Sequence, residues 1–255
     1  MSQPKENYSA KLRAKSMVYF VICIILTLIC LVPIYILIIN ATRKHVDIIS
    51  SVSFIPGSNL AANVKKLLND PMFQFDPFIG FKNSAIIAVG STVLSVFFSA
   101  LTAYGLVVYD FKLRGPAYTF ILVVMMVPMQ VTSVGFLQFM IKLGLSDSFI
   151  PLIVPTIAAP AIVFFMRQYL KSSFPLDIVE AARIDGCGEF RTFLTIAIPM
   201  MKPAIAVQAI FAFIQNWNNF YQPSMILVSR KFEQITMPMM INMLKSNDKI
   251  ADYGV

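Results

Sequence analysis

Along this chain, long uncharged runs alternate with short polar connections. Five stretches, 17 to 39, 84 to 109, 116 to 141, 149 to 166 and 203 to 229, contain no Asp, Glu, Lys, Arg or His. The 21 basic residues, the 13 acidic residues and the single His all lie between or beyond them. About 20 apolar residues in a helix cross a hydrocarbon core ~30 Å thick. Lipid satisfies no backbone N–H or C=O, so an unbroken apolar run of this kind closes its hydrogen bonds within itself, as a helix. Each stretch therefore predicts a transmembrane helix, and the chain predicts an all-α, multi-pass bundle. The run at 17 to 39 exceeds the roughly 7 to 15 residues of a signal-peptide core and precedes no small-residue cleavage pattern, so it reads as an uncleaved first helix. The expected organisation is a tail over 1–16, the first span over 17–39, a mixed loop over 40–83, a core over 84–229 and a last loop over 230–255.

Interruptions of the pattern add detail. Pro56-Gly57, Asp70-Pro71 and Asp76-Pro77 mark turns around a short helix near 60–68, in a loop that reads equally as a partner-contact surface or a solvated connector. In the second span Ser84, Ala88, Ser91, Ser95, Ser99, Thr102 and Ala103 recur mostly at spacings of three and four, a face on which helices approach closely. Pro128 beside Gln130 in the third span, and Pro151, Pro155 and Pro160 in the fourth, remove backbone donors and predict kinks. A hinge and a static kink are both open readings of them.

Composition changes the picture by exclusion. At 57% hydrophobic and 13% charged residues, with a mean hydropathy of +0.72, the chain lies far from the ~25% charged residues of soluble globules. The net charge of +8 is scattered through loops flanking the spans and forms no nucleic-acid surface. Cys23 and Cys30 lie in the first span and Cys187 in a polar loop, which suggests no disulfide framework. No Gly-Lys pair occurs, so the phosphate-cradling loop of nucleotide hydrolases is missing. One His at position 45 and three scattered Cys build no metal or nucleophile constellation.

The most specific pattern is polar. Glu180-Ala181-Ala182, three residues, Gly186, nine residues, then Ile196, one residue, Ile198 and Pro199 resembles the cytoplasmic coupling loop of permease subunits in binding-protein-dependent ABC importers. The family more often carries Leu where this chain has Ile198, a swap that keeps the apolar volume. Within the loop over 174–201, Pro175 suits the start of a short helix running to about Ile184, and Gly186 and Gly188 break it. A second short helix runs from Glu189 to Ile196, and Pro199 ends the loop. Ala181 and Ala182 offer a low surface to a partner groove, with Glu180, Arg183 and Asp185 supplying directional polar contacts around it.

The resemblance implies more than the spacing does. It implies the fold of an ABC importer permease, in the cell membrane with a cytoplasmic N-terminus. The partners it implies are a second, different permease, two ATPase subunits that bind ATP and Mg, an extracytoplasmic solute-binding protein and membrane lipid. No cofactor is expected in this chain, which would be a transport subunit and not an enzyme. Glu180, Ala181, Ala182, Asp185 and Gly186 carry the coupling role by position. Asn83-Ser84, Ala103-Tyr104, Trp217-Asn218, Phe220 and Pro223 are similar to the smaller permease of maltose-type sugar importers, whose members continue through one more span, so a sixth is expected after Val255. Import of a sugar or oligosaccharide is the expected function. Import of a non-sugar solute by the same machinery and secondary transport are the alternatives. The spans carry none of the ionisable residues that proton-coupled carriers place there.

Gln208, Gln215 and Asn219 follow spacings of seven and four, placing them on one face of a fifth helix, with Asn216, Trp217 and Asn218 at its end. Amides beside an aromatic ring suit sugar hydroxyls. Interfacial anchoring by Trp217 and interhelical bonding by the amides explain the same residues.

Overall fold

The computed structural model describes residues 5–69, 75–229 and 231–246, and among them every regular element is helical. Met1 to Pro4 of the expected tail, the Asp70-Pro71 turn, and Asp248 and Lys249 of the last loop lie outside the described residues. The chain divides into two compact units, 1–75 with 244–255, and 76–243.

The first unit is built on α1 (Lys5–Ala41), whose 37 residues include most of the polar segment expected as a tail. Lys, Glu, Ala, Leu and Arg before Ser16 favour helix and continue the span outward. Beyond it come α2 (His45–Ser50) and α3 (Leu60–Asn69). Arg43, 8% exposed, donates to the carbonyl of Asp47 (2.6 Å), which also accepts the Ser51 N–H, and to that of Ser51 (2.9 Å), tying down the end of α2. The Asn63 amide donates to the Ala41 and Arg43 carbonyls, both at 2.9 Å, and the Gly57 N–H donates to the Thr42 hydroxyl at 2.8 Å. A Cβ on Gly57 would stand 2.5 Å from the Thr42 carbonyl oxygen, so only glycine permits this return of the chain.

The second unit is organised around α4 (Pro77–Val108). Its first turn is capped by the Asp76 carboxylate, which accepts from the N–H groups of Phe78 (2.9 Å) and Ile79 (3.3 Å). Its last carbonyls are covered by Arg114, which donates to those of Leu106 (2.7 Å) and Val107 (3.1 Å). Next come α5 (Arg114–Met125) and α6 (Met129–Lys142), meeting at 93°. Pro128 is the cause, since the residue before a proline leaves the helical region and Pro128 itself is extended (ψ 132°). The fourth run becomes α7 (Ile150–Ile153), a 3-10 turn over Val154–Ile157 and α8 (Pro160–Ser173).

The small-residue face of α4 packs this broken run and α12 (Lys202–Trp217). Ser84, Ala88, Ser91, Ser95, Ser99 and Ala103 are buried, while Thr102 is exposed. The Ser91 hydroxyl donates to the Leu152 carbonyl (3.1 Å), the Ser99 hydroxyl to the Ala159 carbonyl (3.4 Å) and the Thr156 hydroxyl to the Ser91 carbonyl (3.2 Å). The stripe thus combines close packing with polar contacts to the interrupted backbone.

Among the described residues three helical segments are long and apolar enough to cross a membrane, at Leu12–Ala41, Pro77–Val108 and Ile150–Ser173. The number is five if each of two sharply bent pairs is one span. The expected fifth run at 203–229 is not one helix. It ends at Trp217 and resumes as α13 (Tyr221–Ile226), because the Asn219 side chain accepts from the Gln222 N–H (3.2 Å) and offers the backbone an alternative to the helical ladder. A 3-10 turn over Phe232–Gln234 and α14 (Met237–Ser246) follow.

Candidate functional site

The polar block at 174–201 folds as an arm of two helical pieces. The first, α9 (Asp177–Ile184), starts just after Pro175 and carries Asp177 and Glu180 in its first turn, where the helix dipole favours carboxylates. Val179 (1% exposed) and Ala182 (7%) face inward. Its end has the form of a Schellman cap: the Cys187 N–H donates to the Ala182 carbonyl (2.9 Å) and the Gly186 N–H to the Arg183 carbonyl (3.0 Å), with Gly186 at φ 77°. This turn sends the chain into α10 (Glu189–Thr192), a π turn over Phe193–Ala197 and α11 (Ile198–Met200). Pro199, expected to end the loop, sits inside this second piece. The wider π turn absorbs the donor its ring lacks, and the chain turns by 80° only afterwards, around Met201.

Two anchors hold the arm. Phe193 is fully buried, its ring 5.3 Å from Tyr104 and 6.0 Å from Phe97, and Tyr104 meets Phe174 at 6.2 Å, separations typical of favourable aromatic pairs. The second anchor is ionic. Arg183 donates from Nε to Glu189 Oε1 at 2.7 Å and from its terminal nitrogen to Oε2 at 3.3 Å, while the Tyr109 hydroxyl donates to Oε2 at 2.7 Å. Donation from Arg183, and next from Tyr109, holds the Glu189 carboxyl below its ordinary range. This clasp joins both pieces of the arm to the residue capping α4.

The five expected coupling residues therefore divide. Glu180, Ala181, Asp185 and Gly186 are exposed, beside Ile184 at 87% exposure, whereas Ala182 packs inward. Arg183, expected to reach outward, is engaged by Glu189. The outer surface is Glu180, Ala181, Ile184 and Asp185, and Ile184, expected only as the end of the short helix, adds an apolar side chain to it.

The expected amides differ in exposure and in what they bond. Gln208 is half-buried and Gln215 and Asn218 are exposed; the Asn216 amide donates to the Ala212 carbonyl (2.8 Å) and the Asn219 amide to Gln222 (2.9 Å). Asn219 lies past the end of α12, so it shares no helix face with Gln208 and Gln215. Trp217 stacks on Phe213 at 5.5 Å and meets Phe81 at 5.7 Å, a packing role. Among the described residues no group of His, Cys, Asp and Glu is placed to hold a metal.

Sequence reasoning also missed Asp147. At φ 60° it donates its N–H to the Ile226 carbonyl (3.0 Å), accepts from the Ser229 N–H at its carboxylate (2.8 Å) and from the Gln234 amide at its carbonyl (3.0 Å). Donation from Ser229, its N–H foremost, holds the Asp147 carboxyl below the ordinary range. An isolated Asp in a Ser-Asp-Ser loop gives no sign of three partners about eighty residues away.

Residues 95–246 match the family described as binding-protein-dependent transport system inner membrane component. Over 226 residues the chain is 36% identical to the arabinooligosaccharides transport system permease protein AraQ of Bacillus subtilis (strain 168), spanning 87% of this chain and 78% of that one. It is 30% identical over 210 residues to the sn-glycerol-3-phosphate transport system permease protein UgpE of Pectobacterium atrosepticum, 81% of this chain and 74% of that one. Its fold is similar to a chain in the crystal structure of a bacterial ABC transporter involved in the import of the acidic polysaccharide alginate, with a TM-score of 0.72 at 21% identity over 98% of this chain and 84% of that chain.

Proposed function

The chain belongs to the binding-protein-dependent transport system inner membrane component family, and on that footing we propose that it imports a carbohydrate by coupling a partner's ATP hydrolysis to alternating access. It is a multi-pass inner-membrane permease and one component of a transport system. In the proposed assembly it pairs with a second, different permease, two ATPase subunits that carry ATP and Mg, and an extracytoplasmic solute-binding protein. This chain holds no cofactor and hydrolyses no nucleotide itself.

The observation that carries the reading is the arm. Glu180, Ala181, Ile184 and Asp185 form an exposed surface on a helix too short to stand alone in water, and its opposite side is fixed by Val179, Ala182 and Phe193. A surface held so firmly from behind passes a displacement onward instead of absorbing it. Closure of the ATPase pair moves α9, and the Arg183–Glu189–Tyr109 clasp and the Phe193–Tyr104 contact carry that movement to α4.

Carbohydrate is preferred because the 36% identical relative is named for arabinooligosaccharides. Import of a phosphorylated polyol is the second reading, favoured by the 30% identical relative named for sn-glycerol-3-phosphate. The test is co-purification of the tagged chain from native membrane, mass spectrometry of its companions, and ATPase assay of the complex with candidate solutes and the binding protein. Recovery of an ATPase whose rate rises with an oligosaccharide supports the reading. Stimulation by glycerol phosphate alone replaces the substrate class, and a preparation free of ATPase overturns the coupling.

A further inference from the structure

In the first unit, the segment beyond α1 folds back along that helix and presents apolar side chains outward. Tyr35 fixes its depth. Counting about 20 residues of hydrocarbon-spanning helix from Met17, the first residue after the polar stretch, places the end of the core near Ile36, so Tyr35 stands in the interfacial belt where tyrosines gather. Side chains on a helix lean toward its N-terminus, which carries the Tyr35 hydroxyl no farther out than its own turn. That hydroxyl donates to the Phe54 carbonyl at 2.7 Å, so the Phe54 backbone is held at the level of Tyr35 and not in the water beyond Ala41.

Around Phe54, and on one side of each flanking helix, the chain exposes apolar side chains. Val52 is 75% exposed, Phe54 58% and Ile55 76%, and on α2 Val46 and Ile49 stand out at 71% and 63%. On α3, Leu60, Val64 and Leu68 recur every fourth residue along one exposed face, with Lys65 and Lys66 on the remaining circumference. Asn63, next to that face, pins α3 to the Ala41 and Arg43 carbonyls, so the face is fixed relative to the span.

We propose that residues 45–68 form a membrane-interfacial element whose exposed apolar side chains rest in the lipid surface at which α1 ends. Lipid is the occupant because this surface continues the one around α1: a side chain beside Phe54 sits at the depth where the span itself meets the headgroups. A short amphipathic helix with lysines off its apolar face suits the same boundary. The element acts as an outrigger, resisting tilt and axial sliding of α1 while other segments move. Arg43 and Asn63 spend their polar groups on the backbone of the fold-back itself, and Lys65 and Lys66 stand off the apolar face of α3.

The test places a nitroxide at Ile55→Cys and, separately, at Val64→Cys in the assembled complex in nanodiscs containing anionic lipid, with Cys23, Cys30 and Cys187 replaced by Ser. Ser58→Cys in the same fold-back serves as the water-facing reference, and Val52→Cys repeats the reading should Ile55→Cys assemble poorly. Collision with oxygen, which concentrates in lipid, is compared with collision with a water-soluble nickel chelate. The expected result is an oxygen-to-nickel ratio several-fold higher at 55 and 64 than at 58. Nickel access at 55 and 64 equal to that at 58 makes the segment a solvated loop and overturns the proposal. Loss of both collisions there, with an immobilised nitroxide, overturns it in favour of cover by a partner chain.

Discussion

The two ends of α4 are fastened in different ways. At its C-terminal end the arm is held by a fully buried Phe193, by Tyr104 at 2% exposure and by one ionic clasp, while the arm's own polar residues Glu180 and Asp185 point away from the chain. At its N-terminal end polar side chains are consumed within the fold. The Asn83 amide donates to the carbonyls of Glu233 (2.8 Å) and Ile235 (3.0 Å), the Ser84 hydroxyl accepts the Met237 N–H (2.9 Å), and Asp147 ties together the loops on either side. Beside its one clasp the first end thus offers Glu180 and Asp185 outward, whereas at the other end Asn83, Ser84 and Asp147 are fasteners. The first arrangement suits an element that must be pushed by something else, the second a frame that must hold its shape while that happens.

The sharpest way to break this contrast is to spoil the arm's direction at the turn that ends α9. Gly186 sits at φ 77° with open space where a Cβ would point, so a side chain there meets backbone strain and no steric obstacle. Left-handed backbone costs an ordinary L-residue about 1 to 2 kcal/mol, and a β-branched one more. Gly186→Val is expected to lower substrate-stimulated ATPase activity by about tenfold or more, a barrier change of ~1.4 kcal/mol, with the chain still present in the membrane at its usual level. Normal stimulation in that variant would show that the direction of α9 is irrelevant to coupling.

How far the sequence disclosed this contrast differs between the two ends for a physical reason. The arm was legible because its signals are local: a proline before α9, a glycine after it, and a fixed distance to Ile198 and Pro199. The small-residue face of α4 was legible too, since periodicity is a property of one helix. Its second role, giving hydroxyls to carbonyls around Pro155 and Pro160, joins residues about sixty positions apart and leaves no pattern. The bonds that Asn83 and Asp147 make leave no local sign for the same reason, their partners lying roughly 150 and 80 residues away. The divided alanines make the complementary point. Ala181 and Ala182 are chemically identical neighbours, yet Ala181 is exposed and Ala182, three residues on from buried Val179 on the same side of α9, is not.

A smaller effect is expected from Asn83→Ala, which strips the Glu233 and Ile235 carbonyls of a buried donor. Leaving such acceptors unpaired costs roughly 1 to 3 kcal/mol. The purified complex should melt several degrees lower while ATPase stimulation per folded complex stays close to wild type. A loss of stimulation with unchanged melting would reverse the assignment and make this end part of the relay.

The smallest effect belongs to the clasp, and its sign with pH follows from its chemistry. Arg183 and Tyr109 favour the ionised Glu189, so its carboxyl titrates below the usual value in the folded chain and near ~4.3 when unfolded. A depressed folded value means that the stabilisation is complete above the unfolded one, shrinks as pH drops beneath it, and is gone once pH has passed the folded value. The melting advantage of wild type over Glu189→Gln should thus be flat from pH 7 to about 5 and fade below ~4.3. Because Glu189 is exposed, added salt should shrink it at every pH where it exists. Tyr109→Phe removes one donor and lets the carboxyl relax toward its ordinary value, which narrows the window without abolishing it, since Arg183 remains. An advantage that instead grows toward acid pH would mean that the protonated Glu189 is the form the arm holds, and the clasp could not then be an ion pair that links α9 to α4.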